Sequence, residues 1–278
     1  VLIPRILTAL ILLPLLLLAI FGLEGKTEWL YALFVGVGVI AATEWSSFMG
    51  ADRFDPKLRY ALAMLVVCAL AWQLRQVPYG VEALATVAVL WWLYALRLIR
   101  RYPASFANGP WPVERMAPLG LLILPATLLP LAELHAQPNG PWRLMFMFFI
   151  VFAADVGAYL VGRNYGKRKL APAVSPGKSI EGAIGGLVLV ALWALCAGPT
   201  AFGLELEQPL PIVLLALVSV ATAALSIVGD LTESLFKRLR GLKDSGTLLP
   251  GHGGVLDRID AILAAAPLFY LGVTLLKL

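Results

Sequence analysis

The chain has 278 residues, of which 60% are hydrophobic and only 14% charged, with a mean hydropathy of +0.85. Soluble domains carry about 25% charged residues, so the composition excludes an ordinary soluble globule and implies an integral membrane protein. The net charge of +5 becomes informative only when it is divided between the two sides of a bilayer.

A helix needs roughly 20 apolar residues to cross the hydrocarbon, and nine runs approach that length: 6–23, 29–43, 60–74, 81–96, 117–134, 142–162, 182–199, 209–229 and 259–276. The first is read as a span and not a secretory signal, because Pro14 interrupts it and no small-x-small site follows at Gly22-Leu23-Glu24. The runs 29–43 and 60–74 are marginal. The run 117–134 contains Pro118, Pro125 and Pro130, each of which removes a helix hydrogen bond, so a kinked or re-entrant helix is expected there. Trp29, Trp72, Trp91, Trp92, Trp111 and Trp142 fall near span ends, where indole rings settle at headgroup level. Cys68 and Cys196 lie inside predicted helices and read as small apolar side chains. Gly182 and Gly186, four apart, hint at close helix packing.

The expected fold is therefore all-α: a polytopic integral membrane protein with about nine transmembrane helices and no internal repeat. One membrane domain covers 1–278, with 1–141 as helical scaffold and 142–278 as the catalytic half. Nine spans place 18 of the 22 Lys and Arg residues on one face and Lys26, Arg75, Arg143 and Lys277 on the other. Without the two most basic loops the split is still 8 against 4. The positive-inside rule then puts the N-terminus in the cytoplasm and the C-terminus outside.

Those two loops, 163–181 and 230–258, hold most of the unusual residue combinations. Asp155 precedes the first of them within an apolar run, and an intramembrane carboxylate is a functional hypothesis by default. Ser175-Pro-Gly-Lys178-Ser179 offers hydroxyls, an ammonium and backbone N–H groups ahead of a helix start, a setting suited to phosphate. It lacks the spacing of a Walker A loop, and a solvated turn is the competing reading. Asp230, Glu233 and Lys237 stand at i, i+3 and i+7, one face of any helix that continues out of the eighth run. Asp257 and Asp260 repeat the i, i+3 pair at the ninth. Two helix tips presenting carboxylates suit Mg²⁺, which takes one or two carboxylates and completes its shell with water and phosphate. No His/Cys cluster has zinc-like spacing. Between the tips lie Lys237, Arg238, Arg240 and Lys243 and the flexible Pro250-Gly-His-Gly-Gly254, whose glycines allow close backbone approach to a ligand. His252 serves there either as a phosphate or base contact or as a turn-stabilising hydrogen bonder.

The stretch from Ser234 to Asp260, with Phe236-Lys237-Arg238, Lys243-Asp244, Gly246, Leu249-Pro250, His252-Gly253-Gly254-Val255 and Asp257-Arg258-Ile259-Asp260, resembles the signature of the phosphatidate cytidylyltransferase family of bacterial type, without departure from it. The segments around Asp155-x-Gly157 and Ser175-Pro-x-Lys178-Ser179-x-Glu181-Gly182 resemble the same family, so the likeness covers about residues 152–260. The resemblance implies that CTP and phosphatidic acid give CDP-diacylglycerol and pyrophosphate with Mg²⁺, and it leaves a second metal ion open. Asp230 and Asp257 are then expected as metal ligands. Lys237, Arg238, Lys243 and Arg258 are expected on the phosphates, with Lys178, Ser175 and Ser179 contributing from the neighbouring loop. Ser234, Asp244, Gly253, Gly254, Asp260 and Asp155 complete the expected substrate-binding and positioning set. The resemblance further implies a homodimer in the cell's inner membrane, its active site on the cytoplasmic face, with no nucleic-acid partner. An ion-coupled transporter would instead show an inverted repeat and ionisable groups near the midplane. A polyprenol kinase or an archaeal-lipid cytidylyltransferase is separated by its products.

Overall fold

The computed structural model describes residues 2–50, 54–251 and 253–278, with the side chains of the first helix described from Leu10 onward. His252 and Arg53 lie outside the described residues. Among the described residues ten α-helices follow one another, and the protein is an all-α, polytopic membrane protein. They are α1 (Leu2–Gly22), α2 (Thr27–Trp45), α3 (Phe54–Trp72), α4 (Gly80–Arg100), α5 (Val113–Ile123), α6 (Pro125–Ala136), α7 (Gly140–Tyr165), α8 (Ile180–Phe202), α9 (Pro209–Leu239) and α10 (Leu256–Leu275). An antiparallel hairpin of β1 (Lys169–Ala171) and β2 (Ser175–Ser179) joins α7 to α8. Eight segments among the described residues are long and apolar enough to cross a membrane, α5 and α6 counting as one, and Leu10–Gly22 of α1 is a shorter apolar helix.

The proline-rich fifth run is broken as its sequence suggests. Pro125 opens α6 directly after Leu124 ends α5, because proline has no N–H to continue the hydrogen-bond ladder. Pro267 has the same effect inside α10: it leaves the Leu263 carbonyl without its partner four residues on. Trp92 Nε1 on α4 donates to that oxygen at 3.0 Å, and Thr127 Oγ1 on α6, which also lies 2.9 Å from Ile123 O, stands 3.1 Å from it, satisfying a group that lipid cannot. Trp92 is thus a buried inter-helix donor, 2% exposed, and not the headgroup anchor its position in the sequence suggests; Trp29 and Trp142 remain exposed.

α7 and α8 cross at the glycines. A Cβ on Gly186 would stand 2.5 Å from the Ala154 carbonyl oxygen, one on Gly182 2.8 Å from that of Ala158, and one on Gly157 2.7 Å from that of Gly185. No larger residue permits this backbone approach. Ser179 caps α8, its hydroxyl accepting from Gly182 N at 3.1 Å.

Cross-links define two ends of the bundle. At one, Arg143 Nη1 donates to Leu278 O at 2.8 Å, a His135 ring nitrogen lies 2.7 Å from Ile20 O, and Arg75 pairs with Glu133. At the other, Trp45 Nε1 donates to Met116 O at 2.9 Å and Arg240 Nε to Phe48 O at 2.6 Å. The hairpin and the 240–255 loop belong to this second end.

Candidate active site

α9 is longer than the apolar run that begins it. Leu231, Leu235 and Phe236 keep an apolar face buried beyond the end of the run, so the helix persists to Leu239 and the following loop starts only at Arg240. Asp230, Glu233 and Lys237 consequently share one helical face, directed at the start of α10. Lys237 Nζ bridges Glu233 Oε2 at 2.5 Å and Asp257 Oδ1 at 2.6 Å. Asp257 also accepts from Ser245 N at 2.9 Å and Gly254 N at 2.8 Å through Oδ2, and from Ser245 N at 3.2 Å through Oδ1. Its carboxylate therefore ties the two limbs of the loop to the first turn of α10.

From the opposite side, the hairpin delivers Lys178, whose ammonium pairs with Asp230 Oδ2. Ser234 Oγ lies 3.4 Å from Asp230 Oδ1. Glu181 fixes the hairpin's first limb, accepting from Lys167 N and Arg168 N, each at 3.0 Å, and from Arg168 Nε at 3.0 Å. The geometry thus brings three elements together: the hairpin, the C-terminal third of α9 and the N-terminus of α10.

A cavity of about 710 Å³ opens on this junction. Asp155, Asp230, Lys237, Asp244, Asp257, Arg258 and Asp260 line it at one end, and Leu12, Leu16, Phe34, Leu128, Leu131, Phe148 and Phe152 at the other. A second cavity of about 490 Å³ shares Asp155 and Asp230 with it and adds Lys178, Ser179 and Arg163. A third, of about 620 Å³, is bounded by Lys243, Asp244, Gly246, Gly253 and Arg258. Of the residues expected at the site, Asp155, Asp230, Lys237, Asp244, Asp257, Arg258, Asp260, Lys178, Ser179, Lys243 and Gly253 all line one or more of these spaces. Gly254 is buried beside them. Ser175 opens β2, pairs with Ala171 and borders none of the three. The Arg238 guanidinium reaches back to Val174 O, at 3.4 Å.

Carboxylates exceed cations at the junction. Asp230 acts electrostatically on both Asp155 and Asp260, and Asp260 on Glu233. Glu233 Oε1 is buried without a hydrogen-bond partner. Among the described residues no group of three or more His, Cys, Asp or Glu side chains forms a ready-made metal cage. Mg²⁺ requires less, one or two carboxylates with the remaining positions filled by water and substrate oxygen. The donor set fits that demand: hard oxygens in excess, with Lys178 seated on Asp230 and Lys237 on Asp257, where positive charge is already stabilised.

Sequence reasoning missed Glu44, at the end of α2. Its buried carboxylate accepts from Val255 N at 3.0 Å and Leu256 N at 2.7 Å, and Ser245 Oγ lies 3.4 Å from it. The available signal was a lone carboxylate closing the apolar run 29–43, the same kind of signal that marked Asp155.

The cytidylyltransferase family model matches residues 3–276. The chain is similar to the phosphatidate cytidylyltransferase of Pseudomonas aeruginosa, 43% identical over 269 residues that cover 95% of this chain and 94% of that protein. It is 38% identical over 290 residues to that of Haemophilus influenzae, covering 95% and 96%. To that of Bacillus subtilis it is 41% identical over 132 residues, 46% of this chain and 47% of the relative.

Proposed function

This chain belongs to the cytidylyltransferase family, and from that premise we propose that it transfers the cytidylyl group of CTP to phosphatidic acid, giving CDP-diacylglycerol and pyrophosphate for phospholipid synthesis. The observation that carries this reading is the two-ended cavity, which joins a wall of leucine and phenylalanine to a charged end. A diacylglycerol phosphate has the same division. Its acyl chains lie along the apolar wall while the phosphate reaches Lys178, Lys237 and Arg258, and CTP enters from the aqueous third cavity beside Lys243.

The nucleophile is a phosphate oxygen of the lipid, anionic at neutral pH, so a strong general base is dispensable. It attacks the α-phosphorus of CTP. A P–O bond forms as the bond from the α-phosphorus to the α,β-bridging oxygen breaks, and pyrophosphate leaves with the electron pair. The barrier is dominated by bringing two polyanions together, which fixed cations reduce by electrostatics and by positioning. Lys178 and Lys237 are pre-set for this by the carboxylates that hold them. Mg²⁺, held by Asp230 and Asp257, would neutralise phosphate charge and stabilise the leaving pyrophosphate when bound. Asp155, Asp244 and Asp260 would position these groups, and Ser234 would orient Asp230.

The basic end of the bundle carries the site, which supports a cytoplasmic active face in the inner membrane. The family resemblance supports a homodimer, which cross-linking in native membranes tests. The function itself is tested by incubating purified protein with labelled CTP, phosphatidic acid and Mg²⁺. Label in CDP-diacylglycerol with release of pyrophosphate is expected; release of CDP would identify a kinase and overturn the reading.

A further inference from the structure

We propose that Glu44 is the positioning residue of the catalytic loop, locking Ser245, Val255 and Leu256, and with them the first turn of α10, onto the N-terminal half of the protein. The inference rests on the reaction proposed above. α10 starts at Leu256 with Val255 as its N-cap, a residue whose side chain has no acceptor to offer. The first N–H groups of a helix need partners from elsewhere, and Glu44 serves the first two at the start of α10. Its two oxygens accept from Val255 N and Leu256 N at 3.0 and 2.7 Å. A carboxylate at this end also opposes the positive pole of the helix.

The fit is close on every side. Glu44 is 7% exposed. A Cβ on Gly246 would stand 2.4 Å from its Oε1, and one on Gly254 2.5 Å from its Oε2. Asp257 grips Ser245 and Gly254 through their backbone N–H groups, while Glu44 braces the same loop from α2 through Val255, Leu256 and the Ser245 hydroxyl. Two carboxylates from different elements thus hold the same loop. Among the described residues Glu44 bonds to two backbone N–H groups and the Ser245 hydroxyl; its effect is to fix where Asp257 and Arg258 stand.

The test is Glu44→Gln, which keeps the shape but turns an NH₂ donor toward backbone N–H donors. The KM for CTP should rise about tenfold or more, the size expected for losing charge-assisted hydrogen bonds, and the KM for phosphatidic acid should rise with it, because Arg258 borders both the main and the third cavity. Loss of folded protein alone would lower the apparent kcat and leave both constants unchanged, and that result would overturn the proposal. A second measurement uses the cycle of Gly246→Ala, Glu44→Asp and the double variant. If Glu44 braces the loop, the shortened side chain makes room for the alanine methyl, and the double variant exceeds Gly246→Ala in kcat/KM for CTP. Additive losses overturn the proposal even where Glu44→Gln fails to fold. Wild-type protein that makes no CDP-diacylglycerol would sink the functional reading instead, which separates the two failures.

Discussion

Asp257 accepts from three donors, the Lys237 ammonium and the N–H groups of Ser245 and Gly254. A carboxylate offers about four lone-pair sites, so replacing one oxygen by NH₂ sets a donor against a donor. Asp257→Asn should therefore lower kcat by well over tenfold, about 1.4 kcal/mol in the barrier, while the protein stays monodisperse in detergent. Turnover above a tenth of wild type would remove Asp257 from the machinery. Asp155 was readable in the sequence because charge interrupting an apolar run is conspicuous, and Asp230 and Asp257 because each heads an i, i+3 pair of carboxylates at the edge of a run. Glu44 is as conspicuous by the first criterion, yet its meaning lies in partners 201 to 212 positions away, which no local pattern encodes.

At the level of elements, the crossing of α7 and α8 sets the distance between Lys178, which leads into α8, and the α9 carboxylate it meets. Gly186→Ala would force a methyl group against the Ala154 carbonyl, and overpacking of this kind costs about 1–3 kcal/mol. A lowered melting temperature and reduced turnover are expected. Gly36→Ala in α2, with nothing within 4 Å of the added carbon, should leave both unchanged. The glycine spacing was visible in the sequence, but its partner helix was not. The run 209–229 stops short of the end of α9 at Leu239, although the spacing of Asp230, Glu233 and Lys237 allowed for a helix continuing past it. A hydropathy run marks where lipid ends, whereas a helix ends where hydrogen bonding and packing do. At 31 residues, α9 is about 46 Å long against about 30 Å of hydrocarbon, so its last turns carry Lys237 beyond the apolar layer or the helix tilts.

For the molecule as a whole, the contacts at the two ends agree with the alternation of basic and sparsely charged loops read from the sequence. The prediction at this scale concerns sidedness. In a Cys196→Ser background, with Cys68 buried, Asn108→Cys lies at the basic end and Glu207→Cys at the other, both exposed. A membrane-impermeant maleimide should label Glu207→Cys in right-side-out vesicles and Asn108→Cys only in inverted ones. The reverse pattern would place the site outside the cell. Composition made the class legible, while the convergence of hairpin, α9 and α10 on one cavity depends on packing between distant segments.

The wall that Leu12, Leu16, Phe148 and Phe152 contribute to the main cavity has a kinetic corollary. A substrate that approaches along that wall never passes through bulk water, so the concentration the protein experiences is a surface density. In mixed micelles the rate should follow the mole fraction of phosphatidic acid in the amphiphile phase, and adding inert detergent at constant molarity should slow turnover by dilution in two dimensions.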